Sequence, residues 1–193
     1  MTARLDEIIE AATDLFYEKG FEKASLRDIA LRVGITQAAI YYHFHNKEQI
    51  LYTIIDSYSN EILFVLNASL SGKADPLEKL KSAITQHIIF METKGKGAKI
   101  AIEDKIFLSG EFNRLVKAKE KAVYNFYKHC LAELLQSGKI ANCDLTATTF
   151  AILGMINWIY HWYKPAGGLT VKQVSDDIIN MIFYGILANR KEV

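Results

Sequence analysis

The chain has 193 residues, half of them hydrophobic, enough for one generous domain or for one domain carrying a small second module. Only 2 prolines and no Ser/Gly-rich tract exclude long disordered linkers, and a net charge of +1 gives no global basic signature for nucleic acid. Cys130 and Cys143 lack metal-ligand spacing and read as reduced, cytosolic thiols, and the amphipathic start MTARLDEIIEAA lacks the apolar core of a secretion signal.

Apolar residues recur with helical period along almost the whole chain, and β-type alternation is absent, so an all-α fold of about nine helices is predicted. The first helix is expected over Ala3 to Lys19, with Ile8, Ala11, Ala12, Leu15 and Phe16 inward and Gly20 as its stop. Three capped starts follow. Ser25 with Asp28 forms a capping-box pattern, Thr36 caps a second start with Ile35 and Ile40 as a staple, and Asn46 with Gln49 caps a third. Leu26 to Val33, the Gly34 turn and Gln37 to Phe44 make a helix-turn-helix.

A long helix is expected from Lys47 through Leu66. Asp75, Pro76 and Glu78 then start another that reaches Met91. TKGKGAK reads as a basic loop before a helix over Ala98 to Leu108. Ser109-Gly110 breaks the chain before a helix over Glu111 to Gln136. Asp144 opens a helix to Tyr163 that is apolar nearly all round. Thr170 with Gln173 boxes the last one, expected to reach Asn189. The run between Asp144 and Lys164 is long enough for a membrane span, but Thr146, Thr148, Thr149, Asn157 and His161 interrupt it, so a buried helix is expected instead.

On a helical wheel Ile40 and Phe44 share the inner face of the second helix of the motif. Tyr42 lies opposite, beside Ala38 and Ala39. Tyr41 and His43 flank that smooth outer surface, and Tyr41 straddles core and surface. Such a helix enters the major groove N-terminus first, which places Gln37 for a base edge. Thr36 and the first-turn amides suit a phosphate oxygen. Tyr41, Tyr42 and His43 can contact the DNA backbone, and Lys47 can neutralise a phosphate. Residues 1–50 carry six basic against eight acidic side chains, so binding must rest on a few well-placed donors, and two copies of the module would help.

Residues 11–51, AATDLFYEKGFEKASLRDIALRVGITQAAIYYHFHNKEQIL, resemble the N-terminal domain of the TetR (tetracycline-repressor-like) family, through A-x-x-L-F, G-F, S-L-x-D-I-A, V-G-I-T, I-Y-Y-H-F and N-K-E. The resemblance implies a dimeric, cytoplasmic, DNA-binding regulator, usually a repressor released by a small molecule and not an enzyme. It implies a DNA-binding domain over residues 1–50 and an effector-binding and dimerisation domain over 51–193. It carries DNA contacts over to Thr36, Gln37, Tyr41, Tyr42, His43 and Lys47, with Ser25 and Arg27 at the first helix of the motif; Ala38 belongs to the same surface.

The family's last two helices form a four-helix bundle with a partner subunit. Here Met155, Ile159 and Tyr163, or the track Phe150, Gly154, Asn157 and His161, would form the dimer face, joined by Val174, Ile178, Ile182 and Gly185. His87, Phe90, Met91, Phe107, Tyr124, Tyr127, Trp158 and Trp162 are pocket candidates, and together they point to an apolar ligand. INWIYHWYKPAGGLTVKQVSDDI, residues 156–178, is similar to the C-terminal segment of TetR-type regulators of lipid degradation, which respond to acyl-CoA thioesters. His161 stands where such relatives often have arginine. Lys94, Lys96 and Lys99 would either meet CoA phosphates or form a solvated turn. Alternatives are an efflux-type TetR regulator responding to other hydrophobic molecules, or a helical lipid-binding dimer lacking DNA binding. No cofactor or metal is expected, and no nucleophile–base constellation is evident.

Overall fold

A computed structural model describes residues 2–72 and 75–185, with nothing said of the side chains of residues 2 and 3. The described residues form ten α-helices and two 3₁₀ turns, with no strand. The helices are α1 (Thr2–Lys19), α2 (Leu26–Val33), α3 (Gln37–His43), α4 (Lys47–Ser69), α5 (Pro76–Thr93), α6 (Gly95–Glu103), α7 (Gly110–Gln136), α8 (Leu145–Asn157), α9 (Ile159–Trp162) and α10 (Val171–Tyr184). The helix expected to reach Tyr163 breaks at Trp158, which separates α8 from the single-turn α9. The expected end of the last helix at Asn189 lies outside the described residues.

The chain divides into two compact units. The first gathers residues 1–61 and 94–121, and the second 62–93 and 122–193. In the first unit, Ile8, Ala12, Leu15 and Phe16 of α1 meet Leu26, Ile29 and Ala30 of α2, Ile40 of α3, and Ile50, Leu51, Ile54 and Ile55 of α4 in one core. Phe21 packs back as expected, edge-on to Phe16 at 5.2 Å.

The segment expected to be a basic loop is instead helical from Gly95. Its lysines act as ties that hold α6 against its neighbours. Lys94 pairs with Glu61 at 2.7 Å and Lys96 with Asp14 at 2.5 Å. Lys99 reaches the Tyr17 carbonyl and lies 4.9 Å from the centre of its ring. The segment is therefore not the free turn expected, and its lysines have partners within the unit. Gly97 lets α6 come close: a Cβ built there would lie 3.2 Å from the Tyr58 ring, and burial pushes the Tyr58 hydroxyl pKa up.

In the second unit α5 is central. Leu80, Ala83, Ile84, His87, Ile88, Phe90 and Met91 are buried on it, and α8, α9 and α10 pack against it. Ser175 of α10 donates to Thr85 of α5 at 2.9 Å. His87 Nδ1 lies 3.0 Å from the Tyr127 hydroxyl, which also reaches the Ala83 carbonyl at 3.4 Å. Burial pushes the His87 pKa down to about 3, so the ring is neutral at physiological pH.

Two outcomes follow from this packing. Gly97→Ala should lower stability by about 1–3 kcal/mol in thermal denaturation, because the methyl crowds the Tyr58 ring packed against α6; Gly95→Ala, with open space around it, should be neutral or stabilising. The His87 pKa is lower folded than unfolded, so its contribution is complete above the unfolded value and is lost as pH falls towards the folded one. From pH 7 to pH 5 this should remove roughly 2 kcal/mol in denaturant titrations. His87→Leu should flatten that part of the pH profile.

Candidate nucleic-acid interface

The surface of α3 is set by its ends. Gly34 adopts φ 71°, the left-handed region where an L side chain is strained, and its N–H closes α2 onto the carbonyls of Ala30 and Leu31. Ile35 then donates to Ala30 at 2.9 Å, which turns the chain sharply into the next helix. Thr36 caps α3 by accepting from the Ala39 amide at 3.2 Å. The hydroxyl used this way keeps its own proton to donate. Phe44 leaves the helix in extended conformation, its amide bonded to Ile40.

The wheel reading of α3 agrees with the burial observed. Ile40 is fully buried and Phe44 nearly so, whereas Tyr42 is 72% exposed and Tyr41 50% exposed. Thr36, Gln37 and Ala38 are exposed, and His43 is half-buried with its ring edge-on to Tyr42 at 5.0 Å. One short face thus presents a hydroxyl, a carboxamide, two phenols and an imidazole, with small residues between them. Ser25 and Arg27 are exposed at the start of α2. Ser25 and Asp28 exchange both capping-box bonds at 3.1 Å, and the Ser25 hydrogen bonds hold the Asp28 carboxyl below its ordinary pKa.

The excess of acidic residues in this region does not fall on α3, which carries none. Glu7, Glu10 and Asp14 line a depression on α1 with Arg32 of α2. Glu18 binds Arg32 through two hydrogen bonds of 3.1 and 2.8 Å, Asp14 holds Lys96, and Glu7 holds Arg4. Four of the eight carboxylates of residues 1–50, those of Glu7, Asp14, Glu18 and Asp28, are thus paired with cations within the unit.

Lys47 differs most from its expected role as a phosphate contact. Its ammonium donates to the carbonyls of Phe21 at 2.6 Å, Ala24 at 2.8 Å and Glu22 at 3.2 Å, and it lies 4.2 Å from the centre of the Phe21 ring. Burial lowers its pKa. The side chain closes the turn between α1 and α2 from below. No sequence-local signal marks this, because the partners lie more than twenty residues away.

The candidate ligand and dimer residues separate by unit and by face. His87, Phe90, Met91 and Tyr127 are buried together in the second unit, and Tyr124 lies at its edge, 5.1 Å from the Phe150 ring. Phe107 does not join them: it belongs to the first unit, where a 3₁₀ turn stacks it on Phe21 at 5.2 Å. Trp158 and Trp162 are not interior either. Trp158 is 61% exposed and Trp162 about half exposed, because α8 spends its buried face on Thr149, Ile152 and Ile156. The Trp residues instead continue the outward track of Phe150, Gly154 and His161, with Asn157 half-buried beside it. Of the two tracks weighed for the dimer face, the other contains the buried Ile159. On α10, Val174 and Ile178 face inward within the protomer, Ile182 is half-buried, and Met181, Tyr184 and Gly185 are exposed.

Residues 8–53 match the model described as bacterial regulatory proteins, tetR family, and residues 73–186 match the tetracyclin repressor-like C-terminal domain. The chain belongs to the TetR family. Membership makes it a DNA-binding transcriptional regulator rather than an enzyme. Among curated TetR-type relatives, the HTH-type transcriptional repressor KstR2 of Mycolicibacterium smegmatis is 24% identical, over 95% of this chain and 91% of its own. The fatty acid metabolism regulator protein of Bacillus subtilis is 23% identical, over 93% of this chain and 94% of its own. Among solved structures, AibR in complex with isovaleryl coenzyme A and operator DNA superposes with a TM-score of 0.87 and 30% identity, covering 93% of this chain and 98% of that one.

Two substitutions separate contact from scaffold. Tyr42→Ala should weaken operator binding at least fivefold with an unchanged melting temperature. Lys47→Ala should lower the melting temperature as well, since three carbonyls lose their shared donor.

Proposed function

We propose that this TetR-family protein is a cytoplasmic homodimeric repressor whose paired α3 helices read a palindromic operator and whose release follows binding of an acyl-CoA thioester. The observation that carries the DNA half is the outer face of α3, with Gln37 placed for a base edge and Thr36, Tyr41, Tyr42 and His43 for the backbone. Ser25 and Arg27 extend the contact to the start of α2, and Ala38 permits close approach. Lys47 acts mainly by holding the turn that positions them. In this reading residues 1–50 bind DNA and residues 51–193 bind effector and partner subunit.

The effector class rests on the full-length similarity to AibR, which was solved with isovaleryl coenzyme A, and on a relative named for fatty acid metabolism. The buried interior around His87, Phe90, Met91 and Tyr127, with Tyr124 at its edge, suits an apolar acyl chain. Phe150, Gly154, Trp158, His161, Trp162, Met181 and Tyr184 form the exposed face that a second copy would cover. No described helix is long and apolar enough to cross a membrane.

Fluorescence anisotropy of labelled DNA from upstream of the gene tests the reading. Isovaleryl-CoA and longer acyl-CoAs are titrated into the preformed complex, with free fatty acids and coenzyme A alongside. Release by a thioester, and not by coenzyme A alone, is expected; retention of the complex under every acyl-CoA would remove the effector assignment. Gly154→Arg should convert a dimer to a monomer in sedimentation velocity and weaken operator binding by two orders of magnitude or more. A Gly154→Arg protein that remains dimeric would overturn the dimer face.

A further inference from the structure

The first turn of α4 is gripped on two sides by adjacent residues. Lys47 holds the α1–α2 turn. Glu48 reaches the other way and accepts two hydrogen bonds at one oxygen, from the backbone N–H of Ser109 at 2.6 Å and from the Ser109 hydroxyl at 2.8 Å. Ser109 is the residue before α7, and its carbonyl accepts from the Asn113 amide in the first turn of that helix.

Glu48 is not needed to cap its own helix. Asn46 does that by accepting from the Gln49 amide at 2.8 Å, and Gln49 returns a bond to the His45 amide at 2.7 Å. The Glu48 carboxylate is therefore available to the start of another helix, where a negative charge is favoured and a backbone donor lacks a partner within its own helix. The stacked pair Phe21–Phe107 adds an apolar join between the α1–α2 turn and the 3₁₀ turn just before Ser109. Sixty-one residues of sequence separate Glu48 from Ser109, so nothing local requires the contact.

We propose that Glu48 is a positioning residue that couples the reading helix to the start of α7. The path is short: α3 ends at His43, the capped turn over 44–46 leads into α4, and its second residue holds Ser109. Operator binding that orders α3 is then felt at the first turns of α7. By thermodynamic reciprocity, a ligand that displaces the start of α7 weakens the grip of α3 on DNA. The proposal rests on the reading of α3 as the DNA-contacting surface and deepens it by naming the residue through which that surface is regulated.

Hydrogen exchange on the full-length protein, free and saturated with its operator duplex, tests this without any effector. In the wild-type protein, amides of residues 110–118 should exchange at least tenfold more slowly when DNA is bound. In Glu48→Ala the ratio of free to bound rates should fall below twofold, while operator affinity stays within about threefold of wild type. Glu48→Gln, which keeps an acceptor, should restore much of the ratio. If Glu48→Ala does not fold, Ser109→Ala removes one of the two bonds and should give an intermediate ratio. Equal slowing in wild type and Glu48→Ala, or no slowing in the wild type, overturns the coupling. Failure of the wild type to bind the duplex overturns the reading of α3, and the coupling with it.

Discussion

The ammonium of Lys47 beneath the α1–α2 turn is the contact on which the rest of the reading head depends. Three carbonyls of the α1–α2 turn, those of Phe21, Glu22 and Ala24, converge there, and each would otherwise need water or another donor. The cation sits half-buried over the Phe21 ring, which attracts it through its quadrupole. Because Lys47 is the first residue of α4, this contact fixes where α4 begins, and so where the turn after α3 must end. With Ile40 and Phe44 buried on the inner side, α3 has one orientation left, and Tyr42 faces outward.

The same economy recurs along α6. A glycine-bearing basic stretch carries little helix propensity of its own. It becomes helical because Lys94, Lys96 and Lys99 find Glu61, Asp14 and Tyr17, and because Gly97 admits the Tyr58 ring. Exposed ion pairs contribute little singly. Here two, Lys94–Glu61 and Lys96–Asp14, act at one short helix together with the Lys99–Tyr17 contact and close packing. Through them residues 94–121 become part of the compact unit that carries the helix-turn-helix, although they follow the helices of the other unit in sequence.

Much of this was legible in the sequence where the signal is local. The caps at Ser25, Thr36, Asp144 and Thr170 and the inner and outer faces of α3 follow from spacing and propensity within a few residues, and the structure has them. Tertiary partners were not legible. Lys47 reads as a free surface lysine until the turn at 21–24 is brought beneath it. Phe107 reads as a pocket aromatic until Phe21 takes it. The helix over 145–157 is apolar nearly all round, so its period does not say which side faces inward. Packing on α5 decides this, burying Ile152 and Ile156 and leaving Phe150 and Trp158 outside. Val174 and Ile178 read equally well as partner-facing, because an inward stripe and a partner-facing stripe look alike in one chain; the fold turns them inward.

The outer face of α3 is the surface proposed to meet DNA. Backbone amide NMR of the isotope-labelled protein titrated with its palindromic operator observes that surface directly. The account predicts the largest shift changes at Thr36, Gln37, Ala38, Tyr41, Tyr42 and His43, smaller ones at Ser25 and Arg27, and little change at Glu7, Glu10 and Asp14. Perturbations concentrated away from α3, with its outer face unmoved at saturating DNA, would contradict it.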